Sequence, residues 1–242
     1  MSKGTFSKYI NNVLDVLRMN DLVHGDNRNG DGKLIEGQRK LVKEECQETL
    51  VAIERVDTRE LVDGVADVFV TASYLAYLTL PVMKFEELYE KLENVTPITI
   101  TAENLKAILD GLWQTNGEET LSHLAGLLAM FEQCYYVLGT LDVVHTSNMT
   151  KFRKVEDDDG SKEYTEALQK QISDDIAFIR EKKGIENIRV ENRDGYLIYF
   201  NADTGKFQKP MCFVEPDLSQ YDNHFVLTCF LLGYKKLAHR SD

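Results

Sequence analysis

The sequence contains few cysteines and few prolines. Four cysteines occur in 242 residues, at Cys46, Cys134, Cys212 and Cys229, and no two of them form a CxxC pair. This spread argues against a disulfide framework or a structural zinc site, and favours free thiols in a reducing compartment. Of the four prolines, only Pro81 precedes residue 90. The N-terminal half is therefore free to form helices.

Long apolar runs and positive charge are also scarce. No run approaches the roughly 18 to 20 apolar residues of a membrane span, and the N-terminus lacks the apolar segment of a signal peptide. We therefore expect a cytoplasmic protein with no membrane partner. The net charge is −12, which argues against a nucleic-acid polymer as partner because such binding needs clustered Lys and Arg. A nucleotide remains possible if metal ions and a few cations hold it.

Apolar residues recur at intervals of three and four through most of the chain, which predicts helices. The predicted helices are 6–19, 38–55, 59–80, 85–94, 102–114, 118–150 (bent near Gly139), 163–183 and 225–237. Asp194-Gly195 and Thr204-Gly205 are turn signals within 188–207 and predict a small β-hairpin. We expect a mainly α protein: an antiparallel helical bundle over 1–155, carrying catalysis, and an α+β extension over 156–242.

Acidic residues recur at helical spacing on the second and third predicted helices. In KEECQETLVAIE, Glu45 and Glu48 are three residues apart, and Glu44 and Glu48 are four apart. In ELVDGVADVF, Asp63 and Asp67 are four apart. Either spacing places two carboxylates on one face of a helix. Each of these helices therefore presents a carboxylate pair.

Asp67 is the acid least expected on a solvated surface. Its neighbours include Val65, Ala66, Val68 and Phe69, so the helical period directs it into or beside an apolar core. A buried carboxylate is costly, and facing carboxylates raise the cost further. A divalent cation removes that cost, and Mg²⁺ takes carboxylate oxygens together with water and phosphate oxygens. The pattern predicts a site for one or two Mg²⁺ ions, with Mn²⁺ as the alternative.

A simpler alternative places the acids on solvated helix faces, where they pair with nearby cations. This alternative suits Glu44, Glu54 and Glu60 best. It suits Asp67 least, because the residues around Asp67 in its own helix carry no positive charge. The candidate cations are Lys40, Lys43, Arg55 and Arg59.

The acidic pairs resemble those of the MazG-like, all-α NTP pyrophosphatase superfamily, which includes the dimeric dUTPases. That family carries ExxE on one helix, here Glu45-Cys46-Gln47-Glu48, and an acidic pair on the next. The second half differs from the common ExxD form, because residue 64 is Gly and Asp67 is paired with Asp63. Related phage and bacterial members use such a DxxxD form. Glu60 with Asp63 also fits ExxD, but it leaves Asp67 unexplained and is the second choice.

The resemblance implies a bundle of the all-α NTP pyrophosphatase type and an activity. That activity is Mg²⁺-dependent hydrolysis of a nucleoside triphosphate, expected to be a deoxynucleotide, to the monophosphate and pyrophosphate. It also implies a homodimer or homotetramer. The implied metal ligands are Glu45, Glu48, Asp63 and Asp67, and the implied catalytic residues are Glu44, Glu45 and Glu48.

Two further segments resemble the same family. VVHTSNMTKF (143–152) is similar to its HxSNMxK segment, which implies that Asn148 and Lys151 contact substrate phosphates. His145 is expected to orient that loop or to titrate near neutrality. DGYLIYFNADTGKFQKPMCFVEPDL is similar to the family's C-terminal tail, where Lys209 is the matching basic residue. Segments 86–116 and 163–185 have no counterpart and are interpreted as insertions.

Two weaker signals lie ahead of the acidic helix. Residues 27–38 resemble the start of an EF-hand calcium loop, but Gln38 stands where a bidentate Glu is needed. We interpret the segment as a loop that leads to the metal helix. Arg39 follows directly and is a candidate contact for a phosphate or a neighbouring acid.

Two main functional hypotheses therefore stand, beside a calcium-sensing module that would use residues 26–37 and respond to calcium but not to Mg²⁺. The first is a metal-dependent pyrophosphohydrolase. The second is a non-catalytic helical nucleotide-binding or interaction protein derived from the same bundle. Magnesium binding, stabilisation by nucleotides and pyrophosphate release distinguish the two.

Overall fold

Helical periodicity accounts for most of the secondary structure. The computed structural model describes residues 6, 9–25, 32–132, 137–155 and 166–238. Over these residues it is mainly helical, with a small antiparallel sheet. The helices are α1 (Ile10–His24), α2 (Gly32–Arg55), α3 (Thr58–Thr79), α4 (Phe85–Glu93), α5 (Leu105–Leu112), α6 (Gly117–Glu132), α7 (Val137–Met149), α8 (Glu166–Lys183) and α9 (Phe225–Ala238). The strands are β1 (Arg153–Lys154), β2 (Ile188–Arg193), β3 (Tyr196–Asn201) and β4 (Phe207–Gln208).

The chain divides into two compact units. The first comprises Met1–Val144 and Asp217–Asp242, and the second comprises His145–Pro216. The division differs from the expected boundary at residue 155. Helix α9 belongs with the helical unit because its buried residues Leu227, Leu231 and Tyr234 join the core of that unit.

α3 is the central helix of the first unit. It packs against α1, α2 and α6. The sequence offers Asp57 and Thr58 as N-cap candidates for this helix. Asp57 is the cap, since its side chain accepts a hydrogen bond from the Glu60 amide at 3.1 Å. The helix ends at Thr79, and Leu80 is extended ahead of Pro81.

α3 also corrects the expectation that no segment is apolar enough to cross a membrane. By length and composition alone, Thr58–Thr79 passes that test. However, 78% of its most apolar window is buried inside the chain. Neighbouring helices therefore cover this apolar surface, as they do for the core helix of a bundle.

α2 begins earlier than the sequence predicted. It starts at Gly32 rather than Gln38, so half of the expected loop is helical. The Gln38 side chain is buried and donates a hydrogen bond to the Thr71 carbonyl at 2.7 Å. A helix over these positions is incompatible with an EF-hand loop, which needs them extended around an ion. Residues 26–31 of the candidate loop lie outside the described residues.

The predicted helix 118–150 is helical on both sides of a short gap in the described residues. α6 ends at Glu132 and α7 begins at Val137, and residues 133–136 lie outside the described part of the chain. Gly139, where we expected a bend, lies within α7.

α2 and α3 approach each other closely at Thr49 and Gly64. A Cβ atom built on Gly64 would lie 2.6 Å from Thr49 Oγ1 and 3.2 Å from Thr49 Cα. The Thr49 side chain cannot simply move aside, because it is fully buried and donates a hydrogen bond to the Glu45 carbonyl at 2.8 Å. Residue 64 is therefore glycine for packing reasons. This also explains why no acid stands there.

The second unit contains a β-sheet with strand order β1-β3-β2, in which β4 also pairs with β3. The predicted hairpin is confirmed: β2 and β3 pair antiparallel from Ile188↔Asn201 to Arg193↔Tyr196. Its turn residues Asp194 and Gly195 have φ of 50° and 76°, as a type I′ turn requires.

A buried carboxylate, Asp175 on α8, joins the parts of the second unit. It is fully buried and accepts hydrogen bonds from Arg153 Nε at 2.6 Å and Nη2 at 2.9 Å. Tyr199 Oη and the Met211 amide also donate to it, at 2.7 and 2.9 Å. The Asp175 carboxylate raises the pKa of both the Arg153 guanidinium and the burial-perturbed Tyr199 phenol. One side chain thus connects β1, α8, β3 and the segment after β4.

We expect Gly64→Ala to destabilise the first unit. Crowding against Thr49 should cost about 1 to 3 kcal/mol, partly offset by the better helix propensity of alanine, about 1 kcal/mol. Urea unfolding followed by the single tryptophan, Trp113, measures the change. Gly111→Ala is the matched control, because no atom lies within 4 Å of its added Cβ, and it should stabilise the chain. Equal effects of the two variants would contradict the close packing.

We expect Asp175→Ala to destabilise the second unit by about 3 to 5 kcal/mol, because it leaves the Arg153 charge and Tyr199 hydroxyl without their shared acceptor. Hydrogen exchange of the β3 amides should accelerate, while the α3 amides keep their protection. The exposed neighbour Asp174, changed to Ala, is the control. Unaltered protection of β3 in Asp175→Ala would show that this network is not what holds the sheet.

Candidate metal centre

The five predicted acids lie on the two helices that meet at Thr49 and Gly64. Glu44, Glu45 and Glu48 are on α2, one to five residues before Thr49, and Asp63 and Asp67 flank Gly64 on α3. Glu45, Asp63 and Asp67 are half-buried, whereas Glu44 and Glu48 are exposed. The close helix contact therefore positions the acidic turns of both helices beside each other.

The carboxyl group of Glu45 is affected by the negative charges of the other four acids. Its pKa is raised from 4.5 to about 8, mainly by burial and then by the charges of Asp67, Glu48, Glu44 and Asp63, in that order. The four neighbours are the residues that the sequence grouped with Glu45. Their mutual repulsion shows that the acids of α2 and α3 form one electrostatic cluster.

The same observation bears on the choice between Asp63 and Glu60. Asp63 is among the carboxylates that raise the pKa of Glu45. Glu60 instead lines a cleft at the start of α3. This favours Asp63 as the partner of Asp67.

A divalent cation suits this cluster by its chemistry. Hard cations prefer carboxylate oxygens, and a bound positive charge would favour the ionised form of Glu45. Within the described ranges, however, no group of three or more His, Cys, Asp or Glu side chains is arranged as a metal site. The donor types therefore fit a metal ion, but their side chains are not placed as a ligand cage.

A cleft of about 330 Å³ opens beside the acidic turn of α2. Glu44 and Glu48 line it, so two of the predicted catalytic acids face open space. Its other lining residues include Gln47 and Arg55. The sequence predicts only an ion-pair role for Arg55 and none for Gln47. Their position at the cleft depends on how α2 faces the start of α3.

Arg39 is engaged elsewhere in the first unit. Its guanidinium donates to the carbonyls of Trp113 and Thr115 at 2.5 and 3.1 Å, and to the side chain of Asn116. It thereby satisfies carbonyls at the C-terminal end of α5. These contacts support a structural role, and we leave Arg39 out of the proposed site.

In the second unit, the two predicted basic segments lie against each other. The end of α7 binds the segment after β4: Ser147 Oγ donates to the Val214 carbonyl at 2.7 Å, and the Val214 amide donates to Thr150 Oγ1 at 2.9 Å. This contact brings Lys151 and Lys209 to one aromatic ring. Their Nζ atoms lie 5.8 and 4.0 Å from the ring centroid of Phe213.

The remaining predicted substrate contacts lie at the end of α7. Asn148 is 5% exposed, and no described residue hydrogen-bonds to its amide group. His145 is half-buried. Lys209 also forms an ion pair with Glu215 at 3.3 Å. The roles of these residues in binding phosphate stay predictions.

Comparison of the chain with protein-family models, with curated proteins and with solved structures finds no match.

The raised pKa of Glu45 predicts a pH-dependent stability. Its folded pKa of about 8 lies above the unfolded value of 4.5. The folded state therefore binds more protons between these values, and its stability falls as pH rises through that window. Glu45→Gln removes this loss. The gain of the variant over the unchanged chain should be small at pH 5 and largest at pH 9.

Urea unfolding followed by Trp113 fluorescence, in the presence of EDTA, measures this gain. Glu54→Gln is the control, because Glu54 is an exposed acid of the same helix that is absent from the groups acting on Glu45. An equal gain of Glu45→Gln at pH 5 and pH 9 would show that Glu45 is not electrostatically strained.

Proposed function

We propose that this chain is a Mg²⁺-dependent nucleoside triphosphate pyrophosphohydrolase, converting (d)NTP and water to (d)NMP and pyrophosphate. The proposal depends mainly on one observation. The negative charges of four acids raise the pKa of the half-buried Glu45; these acids are Asp67, Glu48, Glu44 and Asp63. Carboxylates gathered in this way destabilise the fold unless a cation or a proton compensates them. A cluster of carboxylates that raises a pKa in this way is typical of a functional site.

Glu45, Glu48, Asp63 and Asp67 are the proposed metal ligands. When bound, Mg²⁺ supplies charge neutralisation and polarisation of the phosphate oxygens. The half-buried acids Glu45, Asp63 and Asp67 form the side of the proposed metal site that lies against the helices. Glu48 lies on the exposed side of the same cluster.

The exposed acids take the role of positioning water. Glu44 and Glu48 line the open cleft, so water reaches their carboxylates directly. One of them accepts a proton from the water that attacks the α-phosphorus. A P–O bond forms to the water oxygen, the bond to the α–β bridging oxygen breaks, and pyrophosphate leaves with that oxygen.

The second unit carries groups suited to phosphate oxygens. Lys151 and Lys209 place two cations at the ring of Phe213, and Asn148 adds a buried amide. Lysine and amide donors are common phosphate contacts. We propose that Asn148 and Lys151 bind phosphate oxygens, with Lys209 as an additional cation and His145 orienting the end of α7.

A non-catalytic nucleotide-binding protein is the second candidate. One observation favours it: within the described part of the chain, the acids are not arranged as a metal site. Such a protein would gain thermal stability from nucleotides without turning them over.

We expect the purified chain to release pyrophosphate from at least one member of a dNTP and NTP panel when Mg²⁺ is present. Asp67→Asn should lower kcat/KM by at least 100-fold, about 3 kcal/mol of transition-state stabilisation, because it removes a ligand charge. Glu54→Gln, at an exposed position of α2, should retain activity. Pyrophosphate assays with and without EDTA measure both.

The outcomes separate the two candidates. If pyrophosphate release persists in Asp67→Asn or in the presence of EDTA, the assignment of the metal site is wrong. Nucleotide-dependent stabilisation without pyrophosphate release, over the full panel, establishes the binding protein instead.

A further inference from the structure

α9 is apolar on two opposite faces. One face packs into the first unit through Leu227, Leu231 and Tyr234. The other faces solvent and carries Phe225, 78% exposed, and Leu232, 54% exposed. The outward surface, here called the α9 outer face, consists of Phe225, Val226, Cys229, Leu232 and Gly233.

The α9 outer face carries large apolar side chains that do not pack into the core of the chain. Exposed large apolar side chains on one helix stripe mark interaction surfaces rather than ordinary solvated helices. Gly233 adds a second sign. A glycine inside a helix is unfavourable relative to alanine, yet a Cβ at Gly233 would meet no atom within 4 Å. Among the described residues, the space beside Gly233 is therefore open to a side chain from another molecule.

The order of residues along this face is self-complementary about Cys229. At 100° per residue, the outer-face residues fall within an arc of about 120° whose centre is Cys229. Val226 and Leu232 are each three residues from Cys229, and Phe225 and Gly233 are each four residues away. In an antiparallel pair of such helices, each bulky Phe225 meets the open space at Gly233 of the other helix.

We propose that α9 pairs antiparallel with α9 of a second copy of this chain, with the two-fold axis passing at Cys229. The same patch then serves both copies, as a two-fold interface requires. Phe225 packs on Gly233 of the other copy, and Val226 packs on Leu232. This surface is separate from the acidic cluster, and the proposal does not depend on the proposed function.

Charge at the ends of the stripe supports a second copy in this orientation. Asp222, just before α9, and Lys236, near its end, are both exposed. Each is seven residues from Cys229. Asp222 pairs with Arg59 of its own chain at 3.8 Å and lies outside the helix, so Lys236 is the charge that sets the direction. Antiparallel pairing keeps the two Lys236 residues about 21 Å apart, whereas parallel pairing places them side by side. The stripe between Asp222 and Lys236 carries no charge, so the net charge of −12 does not oppose contact there.

Association is the first test. A single pair of short helices is a small interface, so we expect a dimer whose population rises with concentration in the micromolar range, measured by sedimentation equilibrium. Phe225→Glu combined with Leu232→Glu should give a monomer with unchanged circular dichroism. Val82→Glu is the matched control, since Val82 is 62% exposed and lies outside α9.

Gly233→Gln should change the stability of the chain and its dimerisation in opposite directions. Glutamine is a better helix former than glycine, so the variant should raise the melting temperature of the chain at low concentration. It should also weaken dimerisation at least tenfold, because its side chain occupies the space of Phe225 from the other copy. A variant that stabilises the fold and leaves association unchanged overturns the proposed packing.

Cross-linking tests the axis and direction. In a chain with Cys134→Ser and Cys212→Ser, copper phenanthroline and oxygen should oxidise the two Cys229 thiols of a dimer to a disulfide. Cys229→Ser should abolish it. With Cys229→Ser and Lys236→Cys, antiparallel helices keep the two new thiols about 21 Å apart and no disulfide should form. Efficient cross-linking at residue 236 would mean parallel pairing and would overturn the proposal.

The experiments also show whether the α9 outer face binds something other than a second copy of the chain. A chain that stays monomeric up to 100 μM, or whose dimer persists in the double glutamate variant, overturns the proposal. Binding of a monomeric chain to phosphatidylcholine–phosphatidylglycerol vesicles, lost in the same variant, would assign the face to a lipid surface instead.

Discussion

The close approach of α2 and α3 at Thr49 and Gly64 is the constraint on which the candidate site depends. With no Cβ at Gly64, the two backbones pack closely enough that the acidic turns on either side share one electrostatic environment. α3 is buried along most of its length, and α1, α2 and α6 cover its apolar surface. That burial is what offsets the repulsion between carboxylates, since a weaker helix contact would separate before holding them together.

The glycine that makes this contact also explains the departure from the ExxD pattern. An acid at residue 64 would have to displace Thr49, which is fully buried and hydrogen-bonded within its own helix. The acidic pair of α3 is therefore spaced as Asp63 and Asp67, one on each side of the contact. Sequence reasoning found this pair from its helical spacing but had no means of finding the reason for the glycine.

Local signals predicted a good part of the fold. Asp57 as a helix N-cap, Asp194-Gly195 as a hairpin turn and the helical stretches around α3, α4, α8 and α9 were found from residues near each other in sequence. The start of α2 was missed, because four glycines and several Asn and Asp between residues 24 and 37 favour turns. Helix α2 nevertheless begins at Gly32, and Gln38 holds it to α3 through the Thr71 carbonyl.

By itself the sequence determined where helices and turns form and which acids share a helix face, because both follow from spacing along a few turns of chain. Only the tertiary structure decided what surrounds them. Glu45 collects the charge of acids from two helices, Arg39 binds carbonyls beyond α5, and Asp175 joins residues from 153 to 211. These pairings bring together residues tens of positions apart, and helical or strand periodicity carries no information about which distant elements will pack.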